Sequence, residues 1–132
     1  MKETLTNEEI HALHAAALEA YGGMPGLRDA GMLDSALAQP LMTFGGQSVY
    51  NSLWDKVAAL GRSLVCNHAF VDGNKRVGFA AMAVILRFNG YDLDCSTEES
   101  EQMVLRVATG ELKADGIAKW LESHAVRIKS DC

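Results

Sequence analysis

Cysteine, proline and long apolar runs are all scarce in this chain, and each scarcity excludes something. The three cysteines, Cys66, Cys95 and Cys132, are odd in number and form no C-x-x-C pair. This argues against a disulfide framework and against a cysteine zinc site, and favours free or buried thiols in a reducing compartment. Only two prolines and no glycine-rich linker interrupt the 132 residues, so the length reads as one domain spanning 1–132. A chain of this size buries roughly two-thirds of its unfolded surface and needs no covalent staple. The most apolar stretch, Val77–Phe88, is too short to cross a bilayer and carries Arg87. No charged n-region followed by an apolar segment opens the chain, so a cytoplasmic protein is expected. Positive charge is in deficit, with 12 Lys+Arg against 17 Asp+Glu and a net charge of −5. Such a balance makes general binding to nucleic acid or anionic membrane a poor proposition.

What is present is helical periodicity. Thr6 with Glu9 forms a capping box, stapled by Leu5 and Ile10, and predicts a helix to about Tyr21, stopped by Gly22-Gly23. A short helix fits Met32–Gln39, ended by Pro40. Leu41–Tyr50, with Gly45-Gly46, reads as a loop or small hairpin. Leu53, Val57, Leu60 and Leu64 mark one face of a third helix ending near Cys66–His68. After a break at His68–Asn74, Lys75–Phe88 is predicted as a helix apolar almost all round, placed in the middle of the core. An extended piece, Tyr91–Cys95, precedes a second capping box of Ser96 and Glu99, and that helix runs to Gly110. A last helix carries Ile117, Trp120, Leu121, His124 and Ile128 on one face. The expected architecture is all-α, about six helices around the Lys75–Phe88 helix.

The chemically informative stretch is Asn67–Arg76, which joins two core helices. It holds a titratable base (His68), a hard-metal ligand (Asp72), a glycine (Gly73), an amide (Asn74) and two cations (Lys75, Arg76). The start of a helix offers unpaired N–H groups and the positive end of the macrodipole, which favour an anion such as phosphate. Gly73 lets the backbone turn close to a ligand, and Asn74, Lys75 and Arg76 add donors and charge. Asp72 would repel phosphate unless a cation lay between them, as Mg²⁺ does in nucleotide sites. His68 is the obvious general base for an attacking hydroxyl. Asp72 could instead cap the following helix, and Arg76 could be a salt-bridge arginine.

These residues resemble the core motif of the Fic/Doc (Fido) superfamily. The Fic form reads H-P-F-x-x-G-N-G-R-x-x-R, whereas the death-on-curing (Doc) branch reads H-x-F-x-(D/N)-(A/G)-N-K-R. His68, Phe70, Asp72, Gly73, Asn74, Lys75 and Arg76 match the Doc form. Gly26–Asp29, Leu33–Pro40, Thr43–Gly46 and Leu86–Tyr91 extend the likeness over roughly Gly22 to Tyr91. The resemblance implies an all-α Fic fold and a toxin paired with a cognate antitoxin. It also implies transfer of a phosphoryl group from ATP with Mg²⁺ to a protein hydroxyl, a threonine of elongation factor Tu, with arrest of translation. It assigns the base to His68, Mg²⁺ to Asp72, and ATP phosphate to Gly73, Asn74, Lys75 and Arg76, with Phe70 as a structural anchor of the loop. Ala69 stands where proline is common, and Phe79 stands where the Fic form has its second arginine. Phenylalanine cannot bind phosphate and Lys75 narrows the cradle, which favours phosphoryl over AMP transfer. The alternatives are a Fic-type nucleotidyl transferase and a catalytically silent antitoxin-binding module.

Other conspicuous residues take plainer readings. His11 and His14 stand three apart on the first helix but lack a third ligand, so solvated or half-buried histidines are expected. Trp54 and Trp120 read as core or interface residues, and His124 as a packed histidine. Glu98, Glu99 and Glu101 read as an exposed acidic helix start that suits the dipole. By resemblance, Leu41–Gly45 lie in a hairpin that docks the target segment as an added strand.

Overall fold

The structure is a computed structural model that describes residues 2–129; Cys132 lies outside them. The chain opens with α1 (Asn7–Tyr21). Its capping box is closed in both directions: Glu9 N–H donates to Thr6 Oγ1 at 3.1 Å, and Thr6 N–H to Glu9 Oε1 at 2.8 Å. Next comes α2 (Ala30–Ala38), which begins two residues before the predicted Met32. Asp29 sets that start, since its carboxylate accepts the Met32 N–H at 3.0 Å. Pro40 then sits in a 3₁₀ turn, Gln39–Leu41. The Leu41–Tyr50 segment is a small hairpin, β1 (Thr43–Phe44) and β2 (Gln47–Ser48), antiparallel across Gly45-Gly46.

Two long helices follow, α3 (Leu53–Asn67), capped by Ser52, and α4 (Asn74–Phe88). A short strand, β3 (Tyr91–Leu93), leads to α5 (Thr97–Ala108), opened by the Ser96–Glu99 capping box. The chain then forms α6 (Ala114–His124) and β4 (Ala125–Arg127). The fold is all-α, with two minimal two-stranded pieces. No helix of the described residues is long and apolar enough to cross a membrane. Cys66 and Cys95 are both free thiols.

Two sequence expectations need correction. Ile128 does not extend the face of α6. Beyond His124 the chain turns extended, and β4 pairs antiparallel with β3, with Tyr91 opposite Arg127. Backbone bonds from Asp94 N–H to His124 O (2.8 Å) and from Ile128 N–H to Gly90 O (2.9 Å) fix this register. A ready strand partner and the β-branched Val126 and Ile128 outweigh helical spacing. Nor is α4 buried all round. Val77, Gly78, Ala81, Met82, Ile85 and Leu86 face the core, while Phe79, Ala80, Ala83 and Val84 are half-buried and Phe88 is exposed.

The core is built on the α3–α4 contact. Gly78 makes it close: a Cβ at that position would stand 2.6 Å from Val65 Cγ2, and one at Gly61 would overlap Met82 Sδ. Leu60, Leu64, Val77, Met82 and Ile85 fill the seam and are fully buried. Further helices close around it, α1 on the α4 side, α2 and α6 on the α3 side, and α5 against both. Among the described residues His14 is the one polar side chain classed with the core.

Candidate active site

The α3–α4 junction is an ordered loop, held by hydrogen bonds from α1 and from the Met24–Asp29 segment. Helix α3 ends at Asn67, and His68 takes the left-handed conformation (φ 51°, ψ 46°). It is the only non-glycine residue with positive φ among those described. L-residues pay roughly 1–2 kcal/mol there, so neighbours must hold it. Arg28 does so with its guanidinium: Nε donates to His68 O at 2.6 Å and Nη2 to Asn67 O at 3.1 Å. These carbonyls end α3 and lack helical partners, and a cation there also suits the helix dipole. The His68 side chain is exposed and makes no hydrogen bond among the described residues.

The segment Met24–Asp29 runs beside the loop as a backbone template. Arg28 N–H and Asp29 N–H both donate to Ala69 O, at 2.7 and 3.0 Å, and Val71 N–H donates to Gly26 O at 3.0 Å. Leu27 and Phe70 form an isolated antiparallel bridge. Phe70 is buried. Its ring lies flat on His14, with centroids 3.8 Å apart and planes 12° apart, and edge-on to His11 at 5.5 Å.

Asp72 stands one residue ahead of the N-cap of α4, so it is not that cap. Its Oδ2 accepts the Met24 N–H at 3.1 Å and its Oδ1 the Gly73 N–H at 2.8 Å. The Met24 N–H, then the Gly73 N–H, and behind them Arg76 and His14, hold this exposed carboxyl below the usual carboxylate range. A carboxylate has about four lone-pair positions, so each oxygen keeps capacity for a cation. No group of three or more His, Cys, Asp or Glu able to hold a metal exists among the described residues. A single carboxylate fits Mg²⁺, which keeps waters and phosphate oxygens, and does not fit a metal needing an all-protein cage.

The N-cap itself is Gly73, left-handed at φ 78°, and it supplies no capping side chain. The first N–H groups of α4 are therefore left for an anion. They open onto a cleft of about 460 Å³ that Asp72, Gly73, Lys75 and Arg76 line on one side, with Glu101 and Gln102 of α5 opposite. Asn74 contributes its backbone here rather than its amide: the carboxamide is turned back on Phe70, donating to its O at 3.0 Å and accepting from its N–H at 3.1 Å. The Arg76 guanidinium lies 4.5 Å from the Tyr21 ring centroid, a cation–π contact that steadies it at the cleft edge.

Three features escaped the sequence reading. His14 is buried rather than solvated or half-buried, with Nε2 2.7 Å from Asp72 O. Arg28 clamps the end of α3. Glu101 is a wall of the cleft, not only part of an acidic helix start. Phe79 turns away from the cleft and lines an apolar groove of about 300 Å³ between α1, α4 and α5, with Leu13, Ala17, Tyr21 and Ala80. Its ring also meets Trp120 edge-on at 6.3 Å. A larger cleft, about 580 Å³, lies between the start of α3 and α6. Its charged wall is Asp55, Asp115 and Glu122 against Lys119, which is the wrong balance for phosphate.

A helical fold of this kind, with a His–Asp–Gly–Asn–Lys–Arg loop at the mouth of its central helix, defines a family. Residues 4–86 match the Fic/DOC family. The chain is 42% identical over 132 residues to Toxin Doc of Mycolicibacterium smegmatis (strain ATCC 700084 / mc(2)155), an alignment covering 98% of this chain and 99% of that protein. It is 29% identical over 120 residues to Protein kinase doc of Escherichia phage P1, covering 89% and 91%. The chain belongs to the Fic/DOC family, and within it to the Doc branch.

Proposed function

We propose that the chain is a Doc-like toxin, residues 1–132 forming one unit that transfers the γ-phosphoryl group of ATP to a protein hydroxyl. The observation that carries this reading is the uncapped start of α4, which opens on a cleft lined by a held carboxylate, Asp72, and two cations, Lys75 and Arg76. In this reading the α4 N–H groups, Lys75 and Arg76 bind the phosphates and Asp72 holds Mg²⁺. Bound Mg²⁺–ATP supplies the phosphoryl group and neutralises charge on its oxygens. His68 takes the proton of the acceptor hydroxyl as its oxygen bonds the γ-phosphorus and ADP leaves. Most of the rate comes from positioning and charge stabilisation, which suits a site fixed from so many directions.

The name of the phage P1 relative supports a kinase, and the absence of a second motif arginine at Phe79 supports it over AMP transfer. The acceptor we propose is a threonine of elongation factor Tu, with arrest of translation in the cytoplasm as the result. The exposed β1–β2 hairpin, with Phe44 86% exposed at its tip, is the place for the target segment to dock. The cognate antitoxin takes the apolar groove between α1, α4 and α5. That groove shares Lys75 and Arg76 with the cleft, so a segment seated there covers the phosphate side.

The test is transfer to purified elongation factor Tu from ATP labelled separately at the α and γ positions, with Mg²⁺ present. Label from γ alone, lost in His68→Ala, is the expected result. Label from α alone makes the chain a nucleotidyl transferase, and growth arrest that survives His68→Ala makes it a silent binding module.

A further inference from the structure

We infer that two residues distant in sequence, Arg28 and His14, act as positioning residues for separate halves of the active-site loop, Arg28 for His68 and His14 for Asp72. The inference rests on the proposed roles of His68 as base and Asp72 as metal ligand. Neither residue lines the phosphate cleft, so each acts through the group it holds.

On the base side, Arg28 is the side chain that bonds the His68 carbonyl, at 2.6 Å, while its second nitrogen holds Asn67 O at 3.1 Å. Bonds from a guanidinium are charge-assisted and roughly twice as strong as neutral ones. The fork fixes two successive peptide units, which restrains φ and ψ at His68, the two torsions between them. That restraint keeps His68 left-handed and its imidazole out in solvent. Lysine has a single ammonium and cannot reproduce the planar fork.

On the metal side, His14 rises from α1 beneath the turn into α4. Its Nε2 is 2.7 Å from Asp72 O. A carbonyl only accepts, so Nε2 carries the hydrogen and donates. The ring is sandwiched flat on Phe70, and Phe70 is itself clamped by Asn74. The same nitrogen stands 3.5 Å from where a Cβ of Gly73 would be. His14 therefore sets the peptide that joins the Asp72 carboxylate to the first N–H of the helix mouth. Outer residues that orient a metal ligand in this way typically change affinity or activity about 10–100-fold when removed.

The two roles separate by experiment on the full chain. Affinity for the non-hydrolysable imido analogue of ATP with Mg²⁺ is read by calorimetry, and γ-phosphoryl transfer to elongation factor Tu gives kcat at saturating ATP. Arg28→Lys is expected to lower kcat about tenfold with nucleotide affinity within about twofold. His14→Phe keeps the stack on Phe70 but removes the donor. It is expected to weaken Mg²⁺-dependent analogue binding about tenfold with kcat nearly unchanged, and His14→Gln, which restores an N–H donor, is expected to recover most of that affinity. Backbone amide resonances give a readout independent of turnover: Arg28→Lys shifts those of His68 and Ala69, and His14→Phe those of Asp72 and Gly73, without crossing over. Both parameters and all four amides moving together in either variant, or not moving at all, would overturn the inference. A wild-type chain that binds the analogue but transfers no γ-label sinks the kinase reading alone, since the affinity and resonance arms still decide this one.

Discussion

The carboxamide of Asn74 meets the backbone of Phe70 twice, giving a hydrogen bond to its carbonyl and taking one from its N–H. The first residue of α4 thus ties down the middle of the loop that precedes it, four residues back. Replacing it by alanine leaves two largely buried backbone groups without partners, at about 1–3 kcal/mol for each group that stays unpaired. Asn74→Ala is expected to lower unfolding free energy by about 2–3 kcal/mol in urea titrations. An unchanged midpoint would mean that water replaces the amide and that the loop is held from elsewhere.

In its proposed role as base, His68 sets stability against activity. Its left-handed backbone costs roughly 1–2 kcal/mol, and glycine removes that cost while adding roughly 0.5–1 kcal/mol of unfolded-chain entropy. His68→Gly is therefore expected to be more stable than wild type by up to about 1 kcal/mol and to transfer no phosphate. His68→Ala, which keeps the backbone cost and loses an exposed side chain, is expected to unfold at the wild-type denaturant concentration. A large destabilisation in either variant would show that the imidazole is structural.

The α3–α4 seam makes two alanine substitutions unequal. At Gly78 an added methyl meets Val65, a stiff β-branched neighbour, with the Gly61 carbonyl 3.4 Å away. At Gly61 the nearest atoms all belong to Met82, an unbranched side chain with more rotamers to choose from than Val65. Gly78→Ala is expected to cost about 2–3 kcal/mol and Gly61→Ala about 1 kcal/mol, the range for overpacked cores. Thermal melts of the pair check the order; equal losses would place the tight contact elsewhere.

Acid should weaken the fold through specific carboxylates. The Thr6 N–H and then Lys2 hold Glu9 below its ordinary range. The Ser96 N–H and hydroxyl, and then His124, do the same for Glu99, and the Met24 and Gly73 N–H groups do so for Asp72. In each case the unfolded chain takes up its proton first, at about pH 4. Their stabilisation is thus fully present above that value and disappears as pH falls through the lower folded values. Urea midpoints are expected to fall below about pH 4.5, with a shallower slope in the Glu9→Gln/Glu99→Gln double variant. An identical slope would assign acid unfolding to other groups.

Local signals carried well from sequence to structure wherever one short segment held the whole signal. Both capping boxes close as the Thr6–Glu9 and Ser96–Glu99 spacings require, because the bonds lie within one turn. The Gly45-Gly46 hairpin and the break after Asn67 follow from residues at the break itself. Asp29 was missed as a cap because the periodic apolar residues begin only at Met32 and Leu33. The spacing that put Ile128 on a helix could not register that β3 waits beside it with open backbone groups.

Taken alone, the sequence determined the six helices, both capping boxes and the break after Asn67, and singled out the nine residues from His68 to Arg76 as the candidate site, since each depends on neighbours a few bonds away. Tertiary structure alone decided how that loop is held. His14 reaches Asp72 across 58 positions and Arg28 reaches His68 across 40. No local pattern encodes a hydrogen bond between a buried imidazole on one helix and a carbonyl between two others. It also decided that α4 leaves Phe79 and Ala80 only half-buried, because the number of helices that can pack around one axis is a property of the assembled fold.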